Sequence, residues 1–509
     1  MTAVTFTSSV AQQAAIAAHR FGLGEPNLQG PASDPAGWLI AQIGAAEPQR
    51  GTDLVSGAQG IKRFFEFTEQ RRLMAARNVK ESAQVASPSG VAPGIVQGMV
   101  QAGVLPSSEQ QFGLHFRSIV QNDTRARLAT ATLSSRPFNE RLALFWANHF
   151  TVSMAKASTR GVVGAFEREA IRPHIGGSFE ALLKASTHHL AMLRYLDNDQ
   201  SAGPNSAIVQ RLARRKREAS EASEPAPRLT GLNENLAREV LELHTLGVAG
   251  GGAAYGGWGG YSQADVTEFA RVLTGWRVPV RDIARDAAAH PGARFDATWH
   301  DPGSKTVLSK RYAEGPQALD AVLNDLAVHP STARFVCSKL ARHFVADDPP
   351  LSLVARLEAN FRHTGGDLPS LYRVLVQAPE AWSPQPAKLK TPEEFVISSV
   401  RVLQLGEEAF ARASDAGIGQ LGQRVHSAPS PAGWPDRAEE WLGPDAVWKR
   451  VEWATRVAAR AGRQIDARAL ASASLGALLN DSTALQIQRA ADGPQALALL
   501  LLAPEFQRR

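Results

Sequence analysis

Leucine and alanine recur at helical spacing along most of this chain. Apolar residues fall at i, i+3, i+4 and i+7 in 14–19, 35–43, 139–150, 179–196, 234–246 and 265–276. The same period returns in 316–328, 332–345, 351–361, 368–377, 392–404, 444–461 and 494–502. Strand signals are few. Two short β-prone runs, 294–300 and 305–308, flank Asp301-Pro302-Gly303, which reads as a hairpin turn. The pattern predicts a mainly α protein, a multi-helix globular bundle with at most a small β-hairpin near residues 293–309. Three stretches break the periodicity: 78–108, 206–230 and the glycine-rich 249–260. The charged 206–230 stretch reads as a flexible insertion between an N-terminal helical half, 1–205, and a C-terminal one, 231–509. The two halves are free to share one core.

Composition narrows the picture. A chain of 509 residues, 44% hydrophobic and 20% charged, is of ordinary globular make-up. At roughly 100–200 residues per unit it has room for several compact units. No run approaches the ~18–20 consecutive apolar residues of a spanning helix, so no membrane insertion is expected. The net charge of +6 is diffuse. Its densest part, Arg211 to Arg217, is followed at once by Glu218, Glu221 and Glu224, so it reads as a solvated run rather than a nucleic-acid face. Cys337 is the single cysteine, which excludes an intrachain disulfide and a cysteine zinc cluster. It lies in an apolar helical stretch and reads as a buried, inert thiol. The N-terminus lacks the basic start and apolar core of a secretory signal, so the expectation is a cytoplasmic protein, or one exported bound to a partner.

Candidate chemistry concentrates in 233–247. Asn233 suits an N-cap and Gly247 a helix stop. At about 100° per residue, Glu234, Asn235, Arg238, Glu239, Glu242 and Thr245 share one arc, with Leu236, Val240, Leu241 and Leu243 opposite and His244 in the core. Glu239 and Glu242, three apart, are spaced to hold a divalent cation or move a proton; ion pairing with Arg238 or a neighbouring helix's arginine is the plainer alternative. Ser262 and Asp265 make a capping box, and Glu268 pairs with Arg271 unless Arg271 reaches Glu239 or Glu242. His149 reads as a buried, hydrogen-bonded histidine at a helix end, with ligation as the alternative. His300 and Asp301, facing Lys305 across the turn, form an imidazole-orienting pair or simply suit the turn. No Gly-x-Ser-x-Gly elbow, His-Glu-x-x-His, phosphate loop or dinucleotide fingerprint occurs.

These strings resemble a known family, the domain of unknown function 1800. His19-Arg20-Phe21-Gly22-Leu23-Gly24 is similar to its opening motif, and 141–150, 191–198, 203–206, 233–247, 260–276 and 300–305 to its later ones. Residues 388–395, 421–423 and 433–435 resemble its C-terminal part. The resemblance implies bacterial origin and a gene neighbour from the domain of unknown function 1501 family, whose members look sulfatase-like and exported. It implies no reaction. The polar residues on its motifs, including Asp197, Asn198, Asn205, Glu234 and Asp265, suggest a buried network. Two readings follow. In the first, a helical enzyme, Glu239, Glu242, Arg238, His300, Asp301 and Lys305 do the chemistry. Asn198, Asn205, Asn235, Arg271 and Trp276 bind substrate, and Asp197 and His149 hold a divalent metal ion. The second is a non-catalytic accessory protein that scaffolds the sulfatase-like partner through loop aromatics such as Tyr255, Trp258 and Trp434.

Overall fold

Helix ends in this protein are written in its side chains. Thr391 accepts from the Glu394 amide while the Glu394 carboxylate accepts from the Thr391 amide, and Pro392 follows at the first helical position. Ser262 and Asp265 form the expected capping box. Ser178, Asp367, Asn480 and Asp492 cap other helices by accepting a first-turn amide. The computed structural model describes residues 8–85, 108–218, 231–248 and 260–509. The segments expected to be loose fall largely outside these residues, Tyr255 and Trp258 among them. The fold is mainly α, with two small antiparallel strand pairs. Among the described residues no helix is long and apolar enough to cross a membrane.

Two apolar cores organise the helices. The larger runs from Ile16 to Trp382 and takes residues from both sides of the 206–230 stretch. The second is built from Phe395, Val396, Ile397 and Val400 with Trp453, Leu497, Leu500 and Phe506, and it recruits Leu128 and Leu144 from the N-terminal half. Helix α1 (Ser108–Leu133) gives Leu128, Ala129 and Ala131 to the second core, and helix α2 (Pro137–His149) joins the two. On α2, Phe138, Leu142, Phe145 and Trp146 pack into the first core and Leu144 into the second. A helix apolar on two sides leaves no face for water, so its polar residues Asn139, Glu140 and Arg141 are buried too. Each finds a partner: Glu140 accepts two bonds from Arg172, at 2.6 and 3.0 Å, and Arg141 donates to the Gly22 carbonyl at 2.8 Å and pairs with Glu394.

Three expectations are corrected. The helix at 233–247 is not regular: α3 (Asn235–Glu239) passes into a π-helical turn over Val240–Thr245. The wider turn rotates its last residues, so Thr245, expected beside the glutamates, is fully buried, while Leu243 is only partly so. Glu234 occupies the N-cap position, and Asn233 instead accepts the Asn235 amide at 2.9 Å. Next, the runs 294–300 and 305–308 do not pair with each other. After α4 (Gln263–Leu273), strand β1 (Trp276–Arg277) pairs with β2 (Arg294–Phe295), and β3 (Lys305–Val307) with β4 (Lys310–Tyr312). The tight turn lies at Leu308 and Ser309, both at positive φ (49° and 64°), the conformation that matches strand twist in a two-residue hairpin. The Asp265 carboxylate, accepting the Leu308 amide at 2.7 Å, pins that turn. Finally, the basic run is helical, Ala207–Glu218, with Arg211, Arg214 and Arg215 exposed as expected.

Candidate functional site

The residues singled out from the sequence fall into separate groups. One surrounds the C-terminal end of α4. Arg271 donates to Asp301 and Glu268 at 2.6 and 2.5 Å, so it takes the i, i+3 pairing and does not turn to Glu239 or Glu242. Asp301 also accepts the Asn205 amide at 3.0 Å. The His300 Nδ1–H donates to the Thr274 carbonyl at 2.7 Å, which leaves Nε2 to accept from Lys305 at 3.0 Å; Lys305 donates as well to the Asp301 carbonyl. Asn198 donates to the carbonyls of Leu273 and Trp276. A second group, at the start of the same helix, joins Glu234, Arg238, Gln263 and Thr267. Glu239 and Glu242 stand beside it half-buried; burial and the neighbouring Glu242 push the Glu239 carboxyl up. Asn235 is exposed, Trp276 packs edge-on to His188, and Asp197 pairs with Lys156 at 2.6 Å. Among the described residues no three or more His, Cys, Asp or Glu side chains are grouped to hold a metal ion.

His149 belongs elsewhere. It lines a cavity of about 250 Å³ at the junction of the two cores, with Phe145, Val163 and Phe166 from the first core and Leu144 and Val425 from the second. Helix α5 (Pro330–Phe344) contributes Lys339, Arg342 and His343, whose i, i+3, i+4 spacing puts them on one face. Helix α6 (Pro392–Val402) contributes Glu393 and Glu394 from its first turn, where the helix dipole favours anions. Arg127 of α1 joins Glu393, at 2.7 Å, to Glu167. Glu394 receives Arg141 and, at 2.8 Å, Arg509. Burial alone would raise these carboxyls, but Arg127 and Arg172 hold Glu167 down to about 2, and Arg509 and Arg141 hold Glu394 well below the ordinary range.

The far wall comes from His426, Trp434 and Asp436. Asn148 places Trp434: its amide donates to the Trp434 carbonyl at 2.9 Å and its oxygen accepts the Trp434 amide at 2.8 Å. This requires Gly433, at φ 88°, where a Cβ would lie 2.5 Å from the Asn148 carbonyl oxygen. Trp434, a candidate partner contact in the accessory-protein reading, lines this cavity. His426 is held at φ 58°, a left-handed conformation that costs about 1–3 kcal/mol in a non-glycine residue.

Within this wall four buried nitrogens have no hydrogen-bond partner: His149 Nδ1, His343 Nε2, His426 Nε2 and Trp434 Nε1. Burial, then Lys339 and His244, pushes His149 well below its ordinary value; burial and Arg509 do the same to His343. Burial and Arg127 lower His426 to about 3. All three imidazoles are therefore neutral near pH 7, each able to accept a hydrogen bond at one nitrogen and donate one at the other.

Sequence reading identified His149 as a buried histidine hydrogen-bonded at a helix end, and so it is, with Nε2 bonded to the His244 carbonyl at 3.1 Å. It passed over Lys339, Arg342, His343, His426, Arg127 and Glu167. The one local signal was cationic and imidazole side chains at helical spacing in 339–343, a segment otherwise apolar. Neither the curated proteins nor the solved structures returned a match to this chain. A family model does match: the chain belongs to the family described as protein of unknown function (DUF1800), whose model covers residues 16–508.

Proposed function

We propose that this protein is an enzyme acting on a small anionic molecule by acid–base catalysis in the cavity between the two cores. The observation that carries the reading is the gathering of unpartnered histidine and tryptophan nitrogens beside Lys339 and Arg342 in one concave space. Buried polar groups are nearly always bonded, and a cluster of orphans in a cavity supports a ligand that completes them. The ligand is anionic because it meets donors and cations: the indole N–H, the guanidinium, the ammonium and imidazoles that gain a proton as negative charge approaches. The lining carboxylates are already committed: Glu167 and Glu393 to Arg127, Glu394 to Arg141 and Arg509, and Asp436 to Lys388 at 3.6 Å. In this reading Arg342 orients the anion and His149 and His343 exchange protons with it.

Calorimetry and thermal melting with oxalate, phosphate and sulfate test the reading on the wild type and on Arg342→Gln. At least one anion raises the melting temperature of the wild type by several degrees, and the variant loses that response. Identical melting with every anion, in both proteins, overturns the proposal.

A further inference from the structure

Four lysines deep in this molecule invite comparison. Lys305 is bonded to His300 and the Asp301 carbonyl, Lys388 to Asp347 at 2.5 Å, and Lys390 to Ser398 at 2.9 Å. Lys339 differs: its ammonium makes no hydrogen bond or ion pair among the described residues and rests 5.5 Å from the centre of the Phe335 ring. Arg342 stands one turn further along the same face of α5, and both line the cavity. Part of Lys339 remains accessible, yet the atoms packed around it withdraw it from bulk water. This burial, reinforced by Arg342 and opposed by Asp436, lowers it to about 8. An amine desolvated beside another cation is the usual setting of a nucleophilic lysine.

We propose that Lys339 is a nucleophilic amine that condenses with the carbonyl group of a small anionic carbonyl compound, an oxoacid, held in the cavity. The inference rests on the reading of the cavity as an anion site. Lys339 titrates at about 8, so near that pH part of it is the neutral amine, its proton released to water. The nitrogen lone pair forms the bond to the carbonyl carbon while the C=O π pair moves onto the oxygen. One proton moves from that nitrogen to the former carbonyl oxygen. A proton taken back from water goes to the same oxygen, the C–O bond breaks with its electron pair, and water leaves. The nitrogen lone pair closes the C=N bond, so one ammonium and one carbonyl become one iminium and one water.

The test uses the full chain with glyoxylate and cyanoborohydride, followed by peptide mass mapping, and oxalate as a non-condensing competitor. Lys339 is expected to be modified at least tenfold faster than the exposed Lys310. Its rate should rise with an apparent pKa near 8, and oxalate should suppress it. Lys339→Arg should lose the adduct, with no other lysine labelled faster than Lys310. If oxalate stabilises the protein but Lys339 stays unmodified, or reacts no faster than Lys310, the nucleophile assignment falls and the anion site stands. If no anion affects melting or labelling, both fall.

Discussion

The cluster around His300 and the cavity around His149 are both buried, both rich in charge and both held by helices, yet their hydrogen bonds tell them apart. At His300 each ring nitrogen has a partner, Lys305 has two, and the Asp301 carboxylate, fully buried, receives Arg271 and the Asn205 amide. Its charged groups are paired with one another and the network fastens the β3 segment to α4, while its orphans, the Asn198 Oδ1 and the Trp276 Nε1, are single neutral atoms. In the cavity the carboxylates are satisfied while imidazoles and one indole are not. A completed polar network stabilises a fold, whereas an incomplete one costs free energy that bound ligand restores.

This contrast makes graded predictions. The largest effect belongs to Asp301→Ala, which strips Arg271 and the Asn205 amide of their shared acceptor and should cost about 3–5 kcal/mol. Denaturant unfolding measures it, and a loss under 1 kcal/mol would remove the structural role assigned to this cluster.

Acidification comes next. Burial, then Lys390, lowers His19 to about 3, and burial and Lys339 lower His244 equally. Their folded values lie below the unfolded value of about 6.5, so they cost no stability above that pH. Between 6.5 and 3 the unfolded chain takes protons that the folded one refuses, and stability falls by roughly 2 kcal/mol per histidine at pH 5. Melting followed from pH 7.5 to 5 should decline steadily below 6.5. A flat profile would mean that these rings are not neutral in the fold.

Gly433→Ala is expected to cost roughly 1–3 kcal/mol, because the residue sits at positive φ against the Asn148 carbonyl. It should also weaken anion binding by displacing Trp434, which tryptophan fluorescence with and without oxalate would detect. The smallest change in stability is expected of His343→Gln, under about 1 kcal/mol, since its Nε2 has no partner to lose. If His343→Gln destabilised the protein as much as Asp301→Ala, the distinction between the two regions would not hold.

Much of the architecture was legible in the chain because it depends on near neighbours. The periodicity announced the helices, Ser262 and Asp265 announced a helix start, and Glu268 with Arg271 announced an i, i+3 pair that the structure contains. Cys337 is buried, with burial pushing its thiol well above the ordinary range, as its apolar setting indicated. The strand pairing was misread because a β-prone run does not name its partner; a positive-φ turn at Leu308 and Ser309 chose it. The π-helical turn was invisible because the 3.6-residue period assumes a regular helix.

Local physics of propensity, capping and amphipathic period, together with the family motifs, thus specified a mainly α protein and its membership. Tertiary packing decided the candidate site. Arg127, His149, Glu167, Lys339, Glu394 and His426 come from segments far apart in sequence, and no local period brings them together. Whether a charged side chain is solvated, paired or left without a partner depends on which surfaces meet, and those contacts exist only once two cores close around one cavity.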